Sequence, residues 1–330
     1  MAKISRRSVL LGTAASGLMA PFVTPARAAT SISFRLDWSI YGSHAPFFLA
    51  LQEKMYEKAG LDVSVGEGQG SATVAKIVGQ GNDPIGFVDF TSTIRAIEQG
   101  VPLMAIGRVI SDVMCVISHA DAPVNKPSEL EGKVVAYAPS ESTGQMLAAL
   151  LQRANVDATK ISVLNPATAA KNAMFLQKRA DAIPANVNVQ VAQLEEQGAK
   201  LHYFLFSDFG VEMMNNGLVA NADWLKKNRD AAKAFVRVSL DAFAAAKADP
   251  EKAIDVLIKQ LPQQARNKNV LCRQLDLTFP SLETNATKGK PLGYMAEEDW
   301  RATQDLLVKY GGLPKTVDLN KLYSNEFAEA

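Results

Sequence analysis

Leu36-Asp37-Trp38-Ser39-Ile40-Tyr41-Gly42-Ser43-His44-Ala45-Pro46-Phe47-Phe48-Leu49-Ala50 is the stretch on which the reading of this chain turns. The run that leads into it, 32–36, alternates apolar and polar as a strand does. Pro46 suits a first helical turn, where its missing N–H would have no partner in any case. Phe47, Phe48, Leu51 and Met55 then fall on one helical face, and Gly60 is the expected stop. The loop between strand and helix holds a Trp, a Tyr and one of only three histidines in the chain. An indole, a phenol and an imidazole in one strand-end loop suit a flat, partly polar ligand. Trp38 and Tyr41 could equally serve as core residues with a satisfied polar tip.

The same rhythm continues outward. Residues 61–65 read as a strand, and the glycine-rich turn 66–71 leads to a helix over 72–78. That turn does not match G-x-G-x-x-G, so nucleotide binding is not expected. Free backbone N–H groups at its helix end are a candidate hold for an anion or carbonyl. A buried strand over 85–88 precedes Asp89-Phe90-Thr91-Ser92, where Thr91 or Ser92 is the expected cap of a helix to Gln99. Residues 103–110 read as a further strand. Strands alternating with helices predict a parallel sheet whose ligands sit off the carboxyl ends of the strands. Trp38, Tyr41, His44, Gln69, Ser71, Asp89 and Thr91 all fall at that end.

A second unit starts near Ser111. Its strand over 134–138 runs into Ser140, Ser142 and Thr143, three hydroxyls ahead of a helix over 145–154. The strand 182–185 places Asn186, with Asn188 behind it, at another carboxyl end. A helix over 187–197 and a strand over 201–206 follow. Residues 209–216 break the rhythm. The remainder is largely helical, with one long helix expected over 223–247.

The composition, 48% apolar and 21% charged over 330 residues, is that of a globular chain of about two domains. Residues 1–28 read as a leader to be cleaved after Ala28. Arg6-Arg7 precedes a weakly apolar run too short to span a bilayer, the pattern of twin-arginine export. The leader carries four of the 35 basic residues and no acidic one, which leaves 31 basic against 34 acidic and a formal charge of −3. A nucleic-acid partner, which needs a basic face, is therefore not expected. Cys115 and Cys272 could form one bridge, but Cys115 lies in an apolar run that suits a buried free thiol. His44, His119 and His202 are too dispersed for a metal site, and neither a nucleophile elbow nor a paired acid and base is present. No cofactor and no enzymatic activity are expected.

The opening stretch with Gly60-Leu61-Asp62-Val63, then Gly86-Phe87-Val88-Asp89 leading to Ala96-Ile97-Glu98-Gln99-Gly100-Val101-Pro102, and Leu130-Glu131-Gly132-Lys133-Val134-Val135 resemble one group of ABC-transporter substrate-binding proteins. That group takes up nitrate, sulfonates, taurine and thiamine pyrimidine precursors. The resemblance implies an α/β fold of the two-lobed periplasmic-binding-protein type II, with ligand in a cleft between lobes and two crossovers. The lobes would be residues 29–110 plus 217–330, and 111–216. It implies a periplasmic protein that works as a monomer, binds a small molecule and delivers it to an inner-membrane ABC permease. Trp38 followed by His44 and then Pro46 is most similar to the pyrimidine-precursor branch, which implies that Trp38 stacks on a flat ring and that His44 lines the pocket. Fungal pyrimidine synthases share this block and use pyridoxal phosphate, but they carry a cysteine-rich segment that this chain lacks. Residues 39–43 stand where the pyrimidine branch has a Pro-Asn pair, so a sulfonate, nitrate or aromatic carboxylate is the alternative ligand, and an exported sensor the alternative role.

Overall fold

A computed structural model describes residues 29–138, 141–166 and 168–329. The expected leader, residues 1–28, and Ser140 lie outside the described residues. The first five strands are β1 (Thr30–Arg35), β2 (Leu61–Gly66), β3 (Ile85–Asp89), β4 (Leu103–Arg108) and β5 (Met114–His119). The next five are β6 (Val134–Ala136), β7 (Ser162–Leu164), β8 (Ala182–Asn186), β9 (Leu201–Leu205) and β10 (Asn216–Asn221). They form two five-stranded sheets, ordered β2-β1-β3-β10-β4 and β7-β6-β8-β5-β9.

The sheets are mixed rather than parallel. β10 runs antiparallel to β3 and β4, and β5 runs antiparallel to β8 and β9. The reason lies in how the chain travels. It leaves the first sheet at the carboxyl end of β4 and enters the second from the side its other strands point toward. β5 must therefore run backward among them, and β10 does the same on the return. The two crossing segments lie against each other. Asn215 N donates to Ile110 O at 3.0 Å, Asp112 N to Met213 O at 2.9 Å, and Ser111 pairs with Met214 as an antiparallel bridge.

Alternation in β1 turns Ile32 and Phe34 inward, and Leu36 follows them. Phe34 packs edge-on against Phe47 at 4.8 Å, and Phe47 against Phe243 at 5.4 Å. That places the helix Ala45–Gln52 and the tail helix Arg229–Ala248 on the same apolar layer. The expected helix to Gly60 is split, because Lys54 sits at φ 55° and a separate turn, Met55–Lys58, follows. The expected helix over 223–247 is also two, Ala222–Lys227 and Arg229–Ala248. Asn228 stands between them outside helical geometry, and its Nδ2 donates to Trp224 O. The helix expected over 187–197 starts instead as a π-turn, Val187–Val191. Cys115 and Cys272 are both free, and Cys115 is buried.

The tail packs on the first sheet's layer, where Gln260 Nε2 donates to Phe48 O at 2.8 Å. It does not stop there. The helix Lys268–Thr278 also reaches the unit around the second sheet, and Arg273 pairs with Glu195 at 2.9 Å. Gly42 lets this helix close in: a Cβ at position 42 would stand 2.2 Å from Leu271 O.

Candidate functional site

The carboxyl ends of β1, β3 and β8 face one cleft of about 970 Å³. The turn after β2 and the start of the helix Ser142–Arg153 also border it, and the returning crossover closes one wall. Seven of the expected site residues line it: Trp38, Tyr41, Ser71, Asp89, Thr91, Ser142 and Asn186.

Trp38 is 55% exposed, the most exposed large apolar side chain among the described residues. Its ring borders Gly70, where a Cβ would lie 3.5 Å from the indole. It is therefore not a core residue. The glycine-rich turn is shaped by close approach to this loop: a Cβ at Gly68 would come within 2.0 Å of Leu36 O. The Gly70 N–H donates to Asp37 O at 2.8 Å and the Gly68 N–H to Trp38 O at 3.2 Å. These two N–H groups, which precede the helix Ser71–Gly79, hold the loop, and Ser71 and Ala72 at the helix start border the cleft.

His44 does not line the cleft. It is fully buried beneath the loop. Its Nδ1 accepts from the Tyr41 N–H at 3.4 Å, which leaves the Nε2–H to donate to Asp37 Oδ1 at 2.7 Å. Asp37 Oδ2 accepts from Asn216 Nδ2 at 3.1 Å. The Tyr41 hydroxyl lies 3.4 Å from the same oxygen. Burial first, and then the Asp37 charge, hold the Tyr41 phenol well above its ordinary range, so it remains protonated. The histidine of the opening stretch thus acts on the cleft through Asp37, a residue the sequence reading passed over.

Asp89, rather than Thr91 or Ser92, caps the helix Phe90–Glu98. Its Oδ1 accepts from Thr91 N at 3.0 Å, from Ser92 N at 3.2 Å and from the Thr91 hydroxyl. Burial pushes the Asp89 carboxyl up to about 6. The capping bonds oppose that shift, and the nearby Asp37 charge adds to it. The Asp89 N–H donates to Ser71 Oγ at 3.0 Å, which ties two strand ends together.

Gln69 and Thr143 do not line the cleft either. Gln69 is exposed on its turn. Thr143 is 6% exposed and faces inward, because a helix rotates about 100° per residue and presents Ser142, Gln145 and Met146 to the cleft instead. The structure adds Arg95, Asn215 and Asn216 to the lining. Arg95 donates to Gly311 O. The Asn215-Asn216 pair lies in the segment where the β-α rhythm breaks, and that break was its one signal in the sequence. No lysine lines the cleft among the described residues. Lys171 is buried elsewhere, bonded to Glu141 at 2.8 Å and to Pro184 O at 3.0 Å. No group of His, Cys, Asp or Glu among the described residues could hold a metal ion.

Residues 42–253 match the family model described as NMT1/THI5 like. The riboflavin-binding protein RibY of Chloroflexus aurantiacus is 24% identical over 86% of this chain and 82% of its own length. The formylaminopyrimidine-binding protein of Halalkalibacterium halodurans is 22% identical over 90% of this chain and 91% of its own. Among solved structures, the periplasmic aliphatic sulphonate binding protein SsuA of Escherichia coli superposes with a TM-score of 0.69 at 18% identity, covering 89% of this chain and 91% of that one. The fold is thus that of periplasmic binding proteins, and no helix among the described residues is long and apolar enough to cross a membrane.

Proposed function

This chain belongs to the NMT1/THI5-like family, and from that premise we propose that it is the extracytoplasmic substrate-binding component of an ABC importer. Its ligand is a flat nitrogen heterocycle, with a thiamine pyrimidine precursor as the best candidate. The observation that carries this reading is Trp38, a half-exposed indole that borders the cleft beside the Asp37 carboxylate. An exposed indole face offers stacking area to a planar ring, and the carboxylates around it can accept from ring amines. The relatives named for formylaminopyrimidine and riboflavin support a ring-bearing ligand.

The protein is exported, in this reading by the twin-arginine route, and works as a monomer that hands its ligand to a membrane permease. Residues 29–110 with 217–330, and residues 111–216, are the two lobes that close on the ligand. Trp38, Tyr41, Ser71, Asp89, Thr91, Ser142 and Asn186 contact it. In this reading it is not a pyridoxal enzyme: a Schiff base needs a lysine, none lines the cleft among the described residues, and Lys171 is paired with Glu141.

A thermal-shift screen tests this directly, because a bound ligand raises the melting temperature with the logarithm of its concentration over Kd. The panel is 4-amino-5-hydroxymethyl-2-methylpyrimidine, formylaminopyrimidine, riboflavin, ethanesulfonate, nitrate and benzoate. A shift confined to the heterocycles is the expected outcome. A shift confined to the anions would refute the reading.

A further inference from the structure

The charged side chains that line the cleft are unbalanced. Asp37, Asp89 and Glu196 line it against one cation, Arg95, whose guanidinium is engaged with Gly311 O. Both Asp37 oxygens are taken, one by His44 and one by Asn216. Asp89 differs. Its Oδ1 caps a helix, and its Oδ2 has no hydrogen-bond partner among the described residues. A second, independent set of acceptors stands in the same cleft wall. Asn188 and Asn215 are 3% and 4% exposed, and their Oδ1 atoms, like that of Asn186, accept no hydrogen bond from the described residues. They come from the π-turn after β8 and from the returning crossover, not from the element that carries Asp89.

Buried acceptors without donors are costly, and a charge held near a like charge is costlier still. A ligand that relieves both must bring N–H donors or positive charge. An anion would meet Asp37 and Asp89 and gain nothing from the amide oxygens. Resting on the heterocycle reading above, we propose that this cleft selects by sign: it takes an amidinium-type edge, a protonated ring nitrogen beside an exocyclic amine, on Asp89 and rejects anions. Selection then rests as much on repulsion of the wrong class as on attraction of the right one. It separates this chain from the sulphonate-binding protein whose fold it shares.

Asp89→Asn isolates the charge, because Asn caps a helix as well as Asp does. Calorimetric titration of the wild type and of this variant would use 4-amino-5-hydroxymethyl-2-methylpyrimidine, its 4-dimethylamino analogue, acetamidinium and ethanesulfonate. Loss of at least about tenfold in affinity is expected for the aminopyrimidine on Asp89→Asn, and for the wild type on dimethylation, since each removes one charge-assisted bond. The melting temperature of the variant without ligand should be unchanged or raised. Equal affinity of both proteins for the aminopyrimidine would overturn the inference and leave the heterocycle reading standing. Asp89-dependent binding of acetamidinium with no binding of either ring compound would do the reverse. Wild-type affinity for ethanesulfonate at or above that for the aminopyrimidine would overturn both.

Discussion

The Nε2 of His44 stands 2.7 Å from Oδ1 of Asp37, with the histidine fully buried and the aspartate at the cleft. The imidazole therefore orients a cleft acceptor from below. Removing the ring in His44→Ala would leave Asp37 short of a donor and a void against Phe87, whose ring centroid lies 5.9 Å away. A loss of about 2–4 kcal/mol in unfolding free energy is expected. Ligand affinity should fall as well, and His44→Gln, which restores a donor, should recover part of it. Chemical denaturation together with calorimetric titration checks both.

Trp38 should show the opposite balance. Its side chain is half in solvent, so Trp38→Ala should change stability by less than about 0.5 kcal/mol. The loss of stacking should cost on the order of 1–3 kcal/mol of binding, roughly tenfold to a hundredfold in Kd. Trp38→Phe should retain much of the affinity. Unchanged Kd in Trp38→Ala would remove the indole from the site.

The crossover region carries a pH dependence of defined sign. Burial pushes the Asp112 carboxyl up to about 6. The bond from Met213 N opposes this, Glu212 and Asp299 reinforce it, and Arg108 opposes it. The folded protein then holds this proton more tightly than the unfolded chain does. Stability from this group is present at low pH and declines as pH rises from about 4 to about 6. Asp112→Asn should melt higher than the wild type at pH 7.5, and the gap should be much narrower at pH 4.5 and close below about pH 4. Asn tolerates the φ of 54° at this position and can keep the bond from Met213 N. Calorimetric scans at the two pH values decide it.

Lys171 and Glu141 form a buried pair with unequal access to water, 3% and 14% by side chain. Removing the partner of the better-buried charge costs more. Glu141→Ala should destabilise by about 3 kcal/mol, and Lys171→Met by roughly 1 kcal/mol, because Glu141 can turn outward. Combining them should cost less than the sum, measurable as a double-mutant cycle. A persistent wild-type melting temperature in Glu141→Ala would show that the pair is not held in solution.

Much of this architecture is legible in local pattern. The alternation before Trp38, Pro46 at the helix start and the repeated strand-helix rhythm all follow from periodicities of two and 3.6. The antiparallel entry of β5 and β10 does not, since it depends on where a crossing strand arrives and not on its own residues. The breaks at Lys54 and Asn228 escaped for a related reason, because neither a left-handed lysine nor a displaced asparagine disturbs the apolar spacing around it. At the cleft, strand-end position found Trp38, Tyr41, Ser71 and Asp89 as lining residues. It misplaced His44 and Thr143, whose direction depends on rotation within a turn, and it could not see Asn215, which only the returning crossover brings to the wall.

Gln274 takes the Gly42 N–H at 2.9 Å on one side and gives its own Nε2 proton to Val189 O at 3.3 Å on the other. One amide of the tail thereby stitches the opening loop to the π-turn beyond β8, with the Arg273–Glu195 pair beside it. Two covalent strands alone would let the halves of the molecule twist as well as swing. A third connection that is not covalent restricts that freedom for as long as its hydrogen bonds hold. In the closing motion proposed above, this contact and the Arg273–Glu195 pair must either persist as a pivot or break.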